Sequence, residues 1–561
     1  MRMRRLLFLS AALAFGCVSV ADAADVKIKI TKKYINFPVS HKSDRKTMEM
    51  SVKGGETCRF VIRLAEGEPD YWTFRDVSAL KGKTVSALKG KTVTLTYDGS
   101  GEALAKVYQD DRIAGGENMY KEKYRPQYHF TTRRGWINDP NGLIYYKGKY
   151  HLFYQHNPFE REWENMHWAH AVSTDLVHWR EMPLALHPDT LGTIFSGSAV
   201  IDYGNTAGWN SKDGTPALVA FYTSAKGIQR QSMAYSLDEG MTFTKYEGNP
   251  IIDSHEKWQT NDTRDPKVFW YAPGKHWVMV LNERDGHSIY NSVNLKDWTY
   301  QSHITGFWEC PELFEVSVDG NGGNKKWVMW GASGTYMIGS FDGKTFTPDG
   351  PKLCNLNGSA YAAQVFNNIP ANDGRVIKIA WGRISFEGMP FNGCMLLPQE
   401  QMLFNTRSGL RLASRPVREV EQLFTKVYSG EDLSMRQAND VMRQFDGDDV
   451  LRIRMTMHLS HATDAGLSYR GQRIVNYDMN GNRLNGEFYA TDDPGSMMLT
   501  ADVYMDRSMA EVFVDGGMYS YSMGLDVRST SKEGYVFWGN NIKIRSLEVY
   551  KVKSIWDGYA E

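Results

Sequence analysis

Cysteine is scarce in this chain, with five residues among 561. Cys17 lies in the N-terminal segment, and the other four are scattered: Cys58, Cys310, Cys354 and Cys394. This scarcity excludes a disulfide-rich scaffold, although a single bridge stays open, and it excludes the closely spaced Cys and His ligands of a structural zinc site. No group of His, Asp and Glu residues has an obvious metal-ligand spacing either. The sequence therefore predicts neither a metal nor a cofactor.

The chain also lacks net charge, because its 65 Lys and Arg residues balance its 65 Asp and Glu residues. A balanced chain has no sequence-wide basic field, which argues against a nucleic-acid partner and favours a neutral one. Aromatic residues, by contrast, are abundant, with 16 Trp and 30 Tyr. They suit the packing of β-sheets, and they equally suit the stacking of sugar rings on aromatic planes.

Long apolar runs are missing after the N-terminal segment, so the sequence predicts no membrane-spanning helix. In that segment three arginines precede an apolar run, and Ala21-Asp22-Ala23 supplies the small residues of a cleavage site. The pattern predicts a signal peptide over residues 1–23 and an exported protein, in the periplasm or at the surface of a bacterium. Lipidation of Cys17 is the alternative, and it would add a membrane lipid anchor, although the preceding residues match a lipoprotein cleavage box poorly.

Short alternating strands separated by turn residues dominate both ends of the remaining chain. Residues 24–120 predict a small β-sandwich-like module, with strands near 26–30 and 92–97. Within it, residues 77–84 are repeated in perfect tandem as 85–92, which we assign to a loop. Residues 412–446 are predicted to be a connector with a helix near 417–427. Residues 447–561 predict a closing β-sandwich, with strands near 501–505 and 510–514.

Residues 124–411 carry a longer-range pattern, in which five units of short strands recur at intervals of roughly fifty residues. Polar leaders precede the first strand of each unit. They are Asp139-Pro140, the segment at Ser196, Asp265-Pro266, Glu309-Cys310-Pro311 and the segment at Tyr361. Such units are typical of propeller blades, so the sequence predicts an all-β fold whose catalytic domain is a five-bladed β-propeller. The alternative is an unrelated series of hairpins in a sandwich.

Three of the five leaders carry a carboxylate: Asp139, Asp265 and Glu309. Asp139 lies in WINDPNG at 136–142, and Asp-Pro-Asn-Gly alone is an ordinary hairpin turn just before a strand. A closed propeller, however, would bring the three leaders together around its central channel. Two carboxylates facing each other across a sugar pocket are the minimum needed to hydrolyse a glycosidic bond. We therefore interpret the trio as catalytic, with Asp139 as the nucleophile; the alternative for each residue alone is a turn or cap.

Five motifs, in order along the chain, resemble those of glycoside hydrolase family 32, which comprises the invertases, inulinases and levanases. They are WINDPNG at 136–142, FSGS at 195–198, FYTS at 221–224, TRDP at 263–266 and WECPELF at 308–314. The segment ADVYMDRSMAEVFVDGG at 501–517 is similar to part of the family's C-terminal sandwich. The N-terminal module resembles one that precedes the catalytic domain in some bacterial levanases.

The resemblance implies a retaining hydrolase of β-fructofuranosidic bonds. Asp139 would attack the anomeric carbon, Glu309 would protonate the leaving oxygen and then activate water, and Asp265 would hold fructose hydroxyls. Seven further residues match motif positions that line the family's fructose subsite. They are Asn138, Gln155, Trp163, Phe195, Ser196, Arg264 and Trp381. For the aromatic residues the alternative is core packing, and for Arg264 it is an ion pair without a binding role.

The expected substrate is a fructan or fructo-oligosaccharide, and the N-terminal module favours levan. An inulinase-type or invertase-type β-fructosidase is the first alternative. Asn357-Gly358-Ser359-Ala360 stands where many exo-acting fructanases have an acidic and aromatic pair, so exo or endo action is left open. Two further alternatives are an inverting arabinan or xylan hydrolase, with a wider carboxylate separation, and a sugar-binding propeller that does not cleave.

Overall fold

A computed structural model describes residues 23–52, 57–78, 91–459, 462–489 and 497–558. The predicted signal peptide up to residue 22, with Cys17, and residues 79–90 of the tandem repeat lie outside these residues. The described residues form many strands and few short helices, so the prediction of an all-β fold is confirmed. Within those same ranges, no helix has the length and apolar character needed to cross a bilayer.

Two antiparallel sheets form the N-terminal unit, in the strand orders β1-β6-β3-β4 and β5-β2-β7. Strand β6 alternates between buried and accessible residues, as expected of a strand with one face on the core. The elements of the N-terminal unit are β1 Ala24–Lys29, β2 Tyr34–Val39, β3 Lys46–Val52, β4 Thr57–Ile62, β5 Tyr71–Asp76, β6 Thr92–Tyr97, α1 Gly101–Leu104 and β7 Tyr108–Asp110. A 3-10 helix, Gly116–Asn118, follows the unit.

The central unit begins with three sheets in which the strands follow one another in chain order. They are β8 to β11, β12 to β15 and β16 to β19. A short strand from later in the chain, β28 Phe391–Asn392, pairs in parallel with β8. The elements are β8 Gly135–Tyr146, β9 Lys149–Asn157, β10 His167–Ser173, β11 Arg180–Glu181, β12 Thr193–Asp202, β13 Ala217–Lys226, β14 Ile228–Ser236, β15 Thr244–Lys245, α2 His255–Trp258, β16 Thr263–Tyr271, β17 His276–Glu283, β18 Gly286–Ser292 and β19 Thr299–Thr305.

The rest of the central unit forms one larger sheet in the order β23-β22-β21-β20-β30-β27-β26, in which a parallel pair, β20 with β30, joins two antiparallel groups. The elements of this part of the chain, of which β25 and β28 belong to other sheets, are β20 Glu312–Val318, β21 Asn321–Trp330, β22 Thr335–Phe341, β23 Phe346–Pro348, β24 Leu353–Cys354, β25 Leu356–Gly358, β26 Ala360–Val365, β27 Val376–Gly382, β28 Phe391–Asn392, β29 Cys394–Met395, β30 Gln399–Thr406 and β31 Gly409–Pro416.

Five strands carry or follow the five polar leaders, and we call them the leading strands: β8, β12, β16 and β26, which contain their leaders, and β20, which begins just after Glu309-Cys310-Pro311. They lie next to one another, with β12 between β8 and β16, and β26 between β8 and β20. Their residues are largely buried, because each sheet packs its faces against its neighbours. The polar leaders of distant parts of the chain are therefore neighbours in space.

The interpretation of 136–142 as a hairpin turn is wrong, because these residues lie within strand β8. The strand accommodates Pro140 and Gly142 through two register shifts against β9, between Ile137 and Pro140 and between Asn141 and Ile144. Gly142 has a φ of 53°, and a Cβ there would lie 2.8 Å from the ring of Phe153. The turn-forming residues thus make bulges in a continuous strand, where an unpaired residue can point away from the sheet.

The C-terminal unit consists of two sheets, in the orders β25-β40-β39-β38-β33-β42-β32 and β37-β36-β35-β34-β41. Strand β25 comes from the central unit and pairs in parallel with β40. The elements are β32 Phe424–Ser434, α3 Met435–Met442, β33 Val450–His458, β34 Asp464–Tyr469, β35 Gln472–Asp478, β36 Arg483–Leu484, β37 Glu487–Phe488, β38 Met498–Asp506, β39 Met509–Val514, β40 Tyr519–Gly524, β41 Tyr535–Gly539 and β42 Lys543–Val552, with 3-10 helices at Arg443–Phe445 and Asp515–Gly517.

The helix predicted near 417–427 is only partly present. A 3-10 helix covers Arg418–Leu423, and the chain then becomes strand β32, which pairs with β42 along its length. The prediction fails from Phe424 onward because the backbone groups of Phe424–Ser434 form hydrogen bonds with the edge of β42 instead of with one another. The predicted connector 412–446 therefore contains the end of β31, this short helix and the first strand of the C-terminal sheet.

Candidate active site

Register shifts recur near the start of four leading strands. They fall between Ile137 and Pro140 in β8, between Phe195 and Gly197 in β12, between Arg264 and Lys267 in β16 and between Tyr361 and Gln364 in β26. A bulge of this kind bends a strand and turns the side chain of the unpaired residue in a new direction. The residues released from pairing include Asn138, Asp139, Ser196 and Asp265, all of them predicted site residues.

Asp139 accepts short hydrogen bonds on one of its carboxylate oxygens. The Ser196 hydroxyl donates to Asp139 Oδ2 at 2.6 Å, and the Cys310 Sγ lies 3.6 Å from the same oxygen. Burial raises the pKa of the Asp139 carboxyl above its ordinary value, and the nearby charge of Glu309 raises it further, while hydrogen bonds from Ser196 and Asn138 oppose the shift. The donors therefore favour the ionised form that a nucleophile requires.

Asp265 is held in an unusual backbone conformation, with a φ of 67°. Its backbone N–H donates to Thr223 Oγ1 at 3.0 Å, and its Oδ2 accepts a hydrogen bond from the Cys310 backbone N–H at 3.0 Å. Left-handed geometry is rare for residues other than glycine and is concentrated at functional sites. Burial raises the pKa of the Asp265 carboxyl to about 7, with Arg264 opposing the shift and Asp139 and Glu309 adding to it.

Glu309 lies just ahead of strand β20, separated from it by Cys310 and Pro311, and the φ values of Glu309 and Cys310 are 51° and 40°. Both carboxylate oxygens are engaged. Arg264 donates to Glu309 Oε1 from Nη2 at 2.6 Å and from Nε at 3.2 Å, and the Tyr361 hydroxyl donates to Oε2 at 2.6 Å. The Glu309 backbone N–H donates to Asn282 Oδ1 at 2.8 Å, which fixes the turn that carries the carboxylate.

Cys310 lies between two of the carboxylates, because its Sγ is also 3.5 Å from Asp265 Oδ2. Burial and the charges of Asp265, Asp139 and Glu309 raise the pKa of the Cys310 thiol well above its ordinary range. The thiol therefore stays protonated and is a donor to the carboxylates rather than a nucleophile. Burial disfavours the charge of Arg264, but Asp265 and Glu309 outweigh it and raise the guanidinium pKa, so Arg264 remains a cation.

The predicted aromatic residues lie at the edge of this group of carboxylates. Trp163 is 50% exposed, and its ring centroid is 5.9 Å from that of Phe195, the residue before Ser196. On the other side, the ring of Trp381 is 5.6 Å from that of Trp136, whose Nε1–H donates to Asn138 Oδ1 at 2.8 Å. Half-exposure argues against core packing as the role of Trp163.

Gln155 lies on β9 opposite the first bulge of β8, because its chain neighbours pair with Ile137 and Pro140. Its side chain is buried, and its Nε2 has no hydrogen-bond partner among the described residues. A buried amide donor of this kind is suited to a ligand hydroxyl. All ten predicted site residues are thus linked by direct contact or by strand register, although no contact between Gln155 and the carboxylates is observed.

Four residues of the site are absent from the set predicted from the sequence. Cys310 and Tyr361 contact the carboxylates as described, and Thr223 orients Asp265 from the FYTS motif. Trp308 is 45% exposed, and the Arg264 guanidinium lies 5.2 Å from its ring centroid. The signal for Trp308 and Cys310 was their position on either side of Glu309, whereas the role of Tyr361 depends on the pairing of β26 with β27.

Comparisons with known proteins agree with this arrangement. Residues 129–416 match the family model described as the N-terminal domain of glycosyl hydrolases family 32. The chain is 37% identical to a levanase of Bacillus subtilis over 79% of this chain and 72% of that protein. It is 32% identical to an extracellular exo-inulinase of Aspergillus niger over 78% of this chain and 96% of that protein.

A solved structure of exo-inulinase from Aspergillus awamori is similar to the chain, with a TM-score of 0.68 and 28% sequence identity, over 78% of this chain and all of that one. A fructofuranosidase from Schwanniomyces occidentalis, complexed with fructosylnystose, is similar with a TM-score of 0.66 and 25% identity, over 77% of this chain and 98% of that one. Together with three carboxylates that lie around Cys310, these findings show that the chain is a glycoside hydrolase and belongs to glycoside hydrolase family 32.

Proposed function

We propose that this hydrolase cleaves β-fructofuranosidic bonds in fructans with retention of configuration, and that levan is its preferred polymer. The observation that carries the proposal is the meeting of Asp139, Asp265 and Glu309 around Cys310, with Arg264 as their neighbouring cation. Retaining hydrolysis of a sugar requires one carboxylate for attack and one for proton transfer, and the third is then available to hold substrate hydroxyls.

In the first step Asp139 forms a bond to the anomeric carbon of the fructosyl unit while the bond to the leaving oxygen breaks. Glu309 begins protonated and gives its proton to that oxygen. In the second step Glu309 takes a proton from water, whose oxygen attacks the anomeric carbon and releases Asp139. The hydrogen bonds from Ser196 and Tyr361 hold the two carboxylates in place through both steps.

Asp265 hydrogen-bonds two fructose hydroxyls in this proposal, and the adjacent bulges supply the rest of the fructose subsite. In this subsite, aromatic rings would stack on the sugar ring, and amides, a hydroxyl and a guanidinium would form hydrogen bonds with its hydroxyl groups. The residues that we assign to these contacts are Asn138, Gln155, Trp163, Phe195, Ser196, Arg264 and Trp381. We also assign Trp308, which is exposed beside Arg264, a contact with the sugar unit on the leaving-group side.

The architecture we propose is a five-bladed β-propeller over residues 124–411, with each leading strand innermost in its blade. The neighbouring order of β16, β12, β8, β26 and β20 supports it. A β-sandwich-like module over 24–120 precedes the propeller, and a connector at 412–446 leads to a β-sandwich at 447–561. A signal peptide over 1–23 would export the protein, in keeping with the extracellular exo-inulinases among its relatives.

The preference for levan is supported by the levanase among the relatives, at 37% identity. Inulin is the second candidate, because exo-inulinases match the chain at 31–32% identity over most of their length. To separate the two, the protein is incubated with levan, inulin, sucrose and arabinan, and the products are resolved chromatographically. Fructose alone at early times indicates exo action, and mixed oligosaccharides indicate endo action.

The same assay can contradict the proposal. Release of neither fructose nor fructo-oligosaccharides from levan, inulin and sucrose would rule out a β-fructosidase. Cleavage of arabinan alone would favour the arabinan-hydrolase alternative. Retention is checked by adding methanol, which should capture the fructosyl group of the covalent intermediate as the methyl β-fructofuranoside. The α-anomer as the product would overturn the retaining mechanism.

A further inference from the structure

A second cavity lies at the far ends of the leading strands, away from the carboxylates. Strands β12 and β16 carry Ser196 and Asp265 near their first residues, and the cavity lies where both strands end. Its volume is about 550 Å³, which is within the range of small-molecule sites in proteins. Six of its lining residues matter here: Tyr203, Phe269, Trp270, Trp277, Asn367 and Asn368.

A buried ion pair separates this cavity from the active site. Lys267 follows the Asp265-Pro266 bulge on β16, and its Nζ lies 2.9 Å from Glu312 Oε2 of β20. The same Nζ donates to the Val365 carbonyl of β26 at 2.8 Å. Lys267 and Glu312 are almost completely buried, and only about 10 Å³ of free space remains around them. A ligand in the far cavity therefore has to enter from the opposite side of the central unit.

Two exposed aromatic planes face this cavity. Tyr203 is 64% exposed and Trp270 is 43% exposed. The Trp270 ring packs edge-on against buried Trp277, with centroids 5.0 Å apart and an angle of 68°. Asn368 Nδ2 donates to the Tyr145 carbonyl at 2.6 Å and to the Tyr203 hydroxyl oxygen at 3.1 Å. Both rings are thus held by neighbours while their surfaces remain open to solvent.

The cavity is suited to a neutral, hydroxyl-rich ligand. Among the described residues that line it, none carries a charge, which disfavours phosphates, carboxylates and cations. Aromatic planes bind the apolar faces of sugar rings, and the hydroxyl and amide groups beside them pair with ring hydroxyls. An exposed aromatic pair in a cavity of this size is uncommon on a soluble protein without a binding role.

We propose that this cavity is a second sugar-binding site, which holds a fructosyl segment of the polymer at the end of the central unit opposite the active site. The identity of the polymer as a fructan rests on the proposed function. A chain held at two sites dissociates more slowly than one held at a single site, because release from one leaves it tethered by the other. The site therefore acts on polymers and has no effect on a disaccharide.

The test compares Tyr203→Ala and Trp270→Ala with the parent protein, each in an Asp139→Asn background so that the polymer is not digested. Migration is measured by native electrophoresis through gels containing levan or inulin. We expect about fivefold weaker retention in each variant, since an aromatic contact of this type contributes about 1 kcal/mol. Phe488→Ala, which removes an exposed aromatic side chain of the C-terminal unit, is the matched control and should migrate like the parent.

With Asp139 intact, the same two variants should hydrolyse sucrose with unchanged kcat/KM and levan with a raised KM. Tyr203→Ala removes a largely exposed ring, so it should fold normally and keeps the test valid if Trp270→Ala is misfolded. Thermal melting checks the folding of both variants. Unchanged retention by both polymers would overturn the proposal. The proposal would also be overturned if the variants changed only in oligomeric state, measured by size-exclusion chromatography, because the cavity would then be a contact between protein molecules. Failure of the parent protein to hydrolyse any fructan would instead contradict the proposed function.

Discussion

Individual residues in the active site are arranged so that each carboxylate has a different environment. Asp139 accepts from Ser196, Asp265 accepts from a backbone N–H, and Glu309 lies between Arg264 and Tyr361. Groups of the same type take different roles when their partners differ, because the partners decide which protonation state each group prefers. The carboxylates are costly to bury together, and Arg264 and Cys310 offset part of that cost.

Removing the carboxylate of the proposed nucleophile or of the proposed acid should abolish most activity. Asp139→Asn and Glu309→Gln are each expected to lower kcat on levan and sucrose by about a thousandfold or more, because each removes a group that acts in the transition state. Glu315→Gln, on β20 but exposed and paired with Lys325, is the control and should be nearly neutral. Circular dichroism checks the fold, and near-normal turnover in either variant would remove that residue from its role.

Asp265 should make the protein less stable as pH rises. Its folded-state pKa of about 7 exceeds the ordinary 3.8, so folding takes up a proton between these values. The stability of the parent protein therefore falls as pH rises from about 4 to 7, and the penalty is complete above 7. Asp265→Asn should lose activity yet melt a few degrees higher at pH 8, with a smaller gain at pH 5. The raised pKa of Asp265 would be contradicted if the gain in Tm of Asp265→Asn over the parent were the same at pH 5 and pH 8, or larger at pH 5.

Among the elements, one loop joins the N-terminal unit to the active site. The 158–166 loop between β9 and β10 carries Trp163, and its Phe159 ring stacks on Phe60 of β4 at 3.6 Å. Buried Glu160 pairs with Arg63 and Arg45, at 3.2 Å and 3.3 Å. The backbone of Val61 exchanges two hydrogen bonds with the Asn165 side chain. The N-terminal unit therefore fixes the loop that carries the exposed Trp163.

Loosening the 158–166 loop should weaken substrate binding more than it slows the chemical step. In Arg63→Ala the buried Glu160 loses its closest cation, so we expect a several-fold higher KM for sucrose with kcat changed by less than about twofold. Arg59→Ala is the matched control, because Arg59 lies on β4, four residues before Arg63, but is exposed and pairs with Glu49 at 3.7 Å. Steady-state kinetics of both variants decide the matter. A fall in kcat with KM unchanged would place the effect on the catalytic groups instead.

Across the whole molecule, the central and C-terminal units are joined by buried polar groups. His129, just before β8, lies between Asp506 and Glu511 of the C-terminal sheet, with its ring nitrogens 2.8 Å from each carboxylate. Asp506 also accepts hydrogen bonds from the backbone N–H groups of Gln127 and Tyr128. Burial by itself lowers the pKa of His129, but the two carboxylates outweigh it and raise the pKa to about 9.

This junction should make stability depend on pH in the alkaline range. A histidine with a folded-state pKa of about 9, against 6.5 when unfolded, contributes fully below pH 6.5 and loses its contribution as pH rises through 9. His129→Gln should cost about 3–5 kcal/mol at pH 6, because two buried carboxylates lose their cation. The difference between parent and variant, measured by urea denaturation, should shrink by pH 9.5. His178→Gln, at an exposed histidine paired with Asp175, is the control and should leave stability nearly unchanged at pH 6.

Local pattern predicted much of the fold. The strands near 92–97 and 501–505 were found where the alternation placed them, at Thr92–Tyr97 and within Met498–Asp506. The two errors share a cause. At 136–142 and after Phe424 the residues favoured a turn and a helix, but pairing with β9 and β42 made both segments strands. Backbone groups buried beside a strand edge have to be paired, and this requirement outweighs weak local preferences.

The sequence by itself determined which residue types were available for chemistry, because carboxylates, aromatics and a guanidinium stand in short motifs that can be read without a structure. Only the tertiary structure decided how they meet. The contacts of Cys310 with two carboxylates, of Tyr361 with Glu309 and of the 158–166 loop with the N-terminal unit join residues far apart in the chain. Such contacts depend on strand register and on the packing of neighbouring sheets, and these follow from how distant parts of the chain come together rather than from any local stretch.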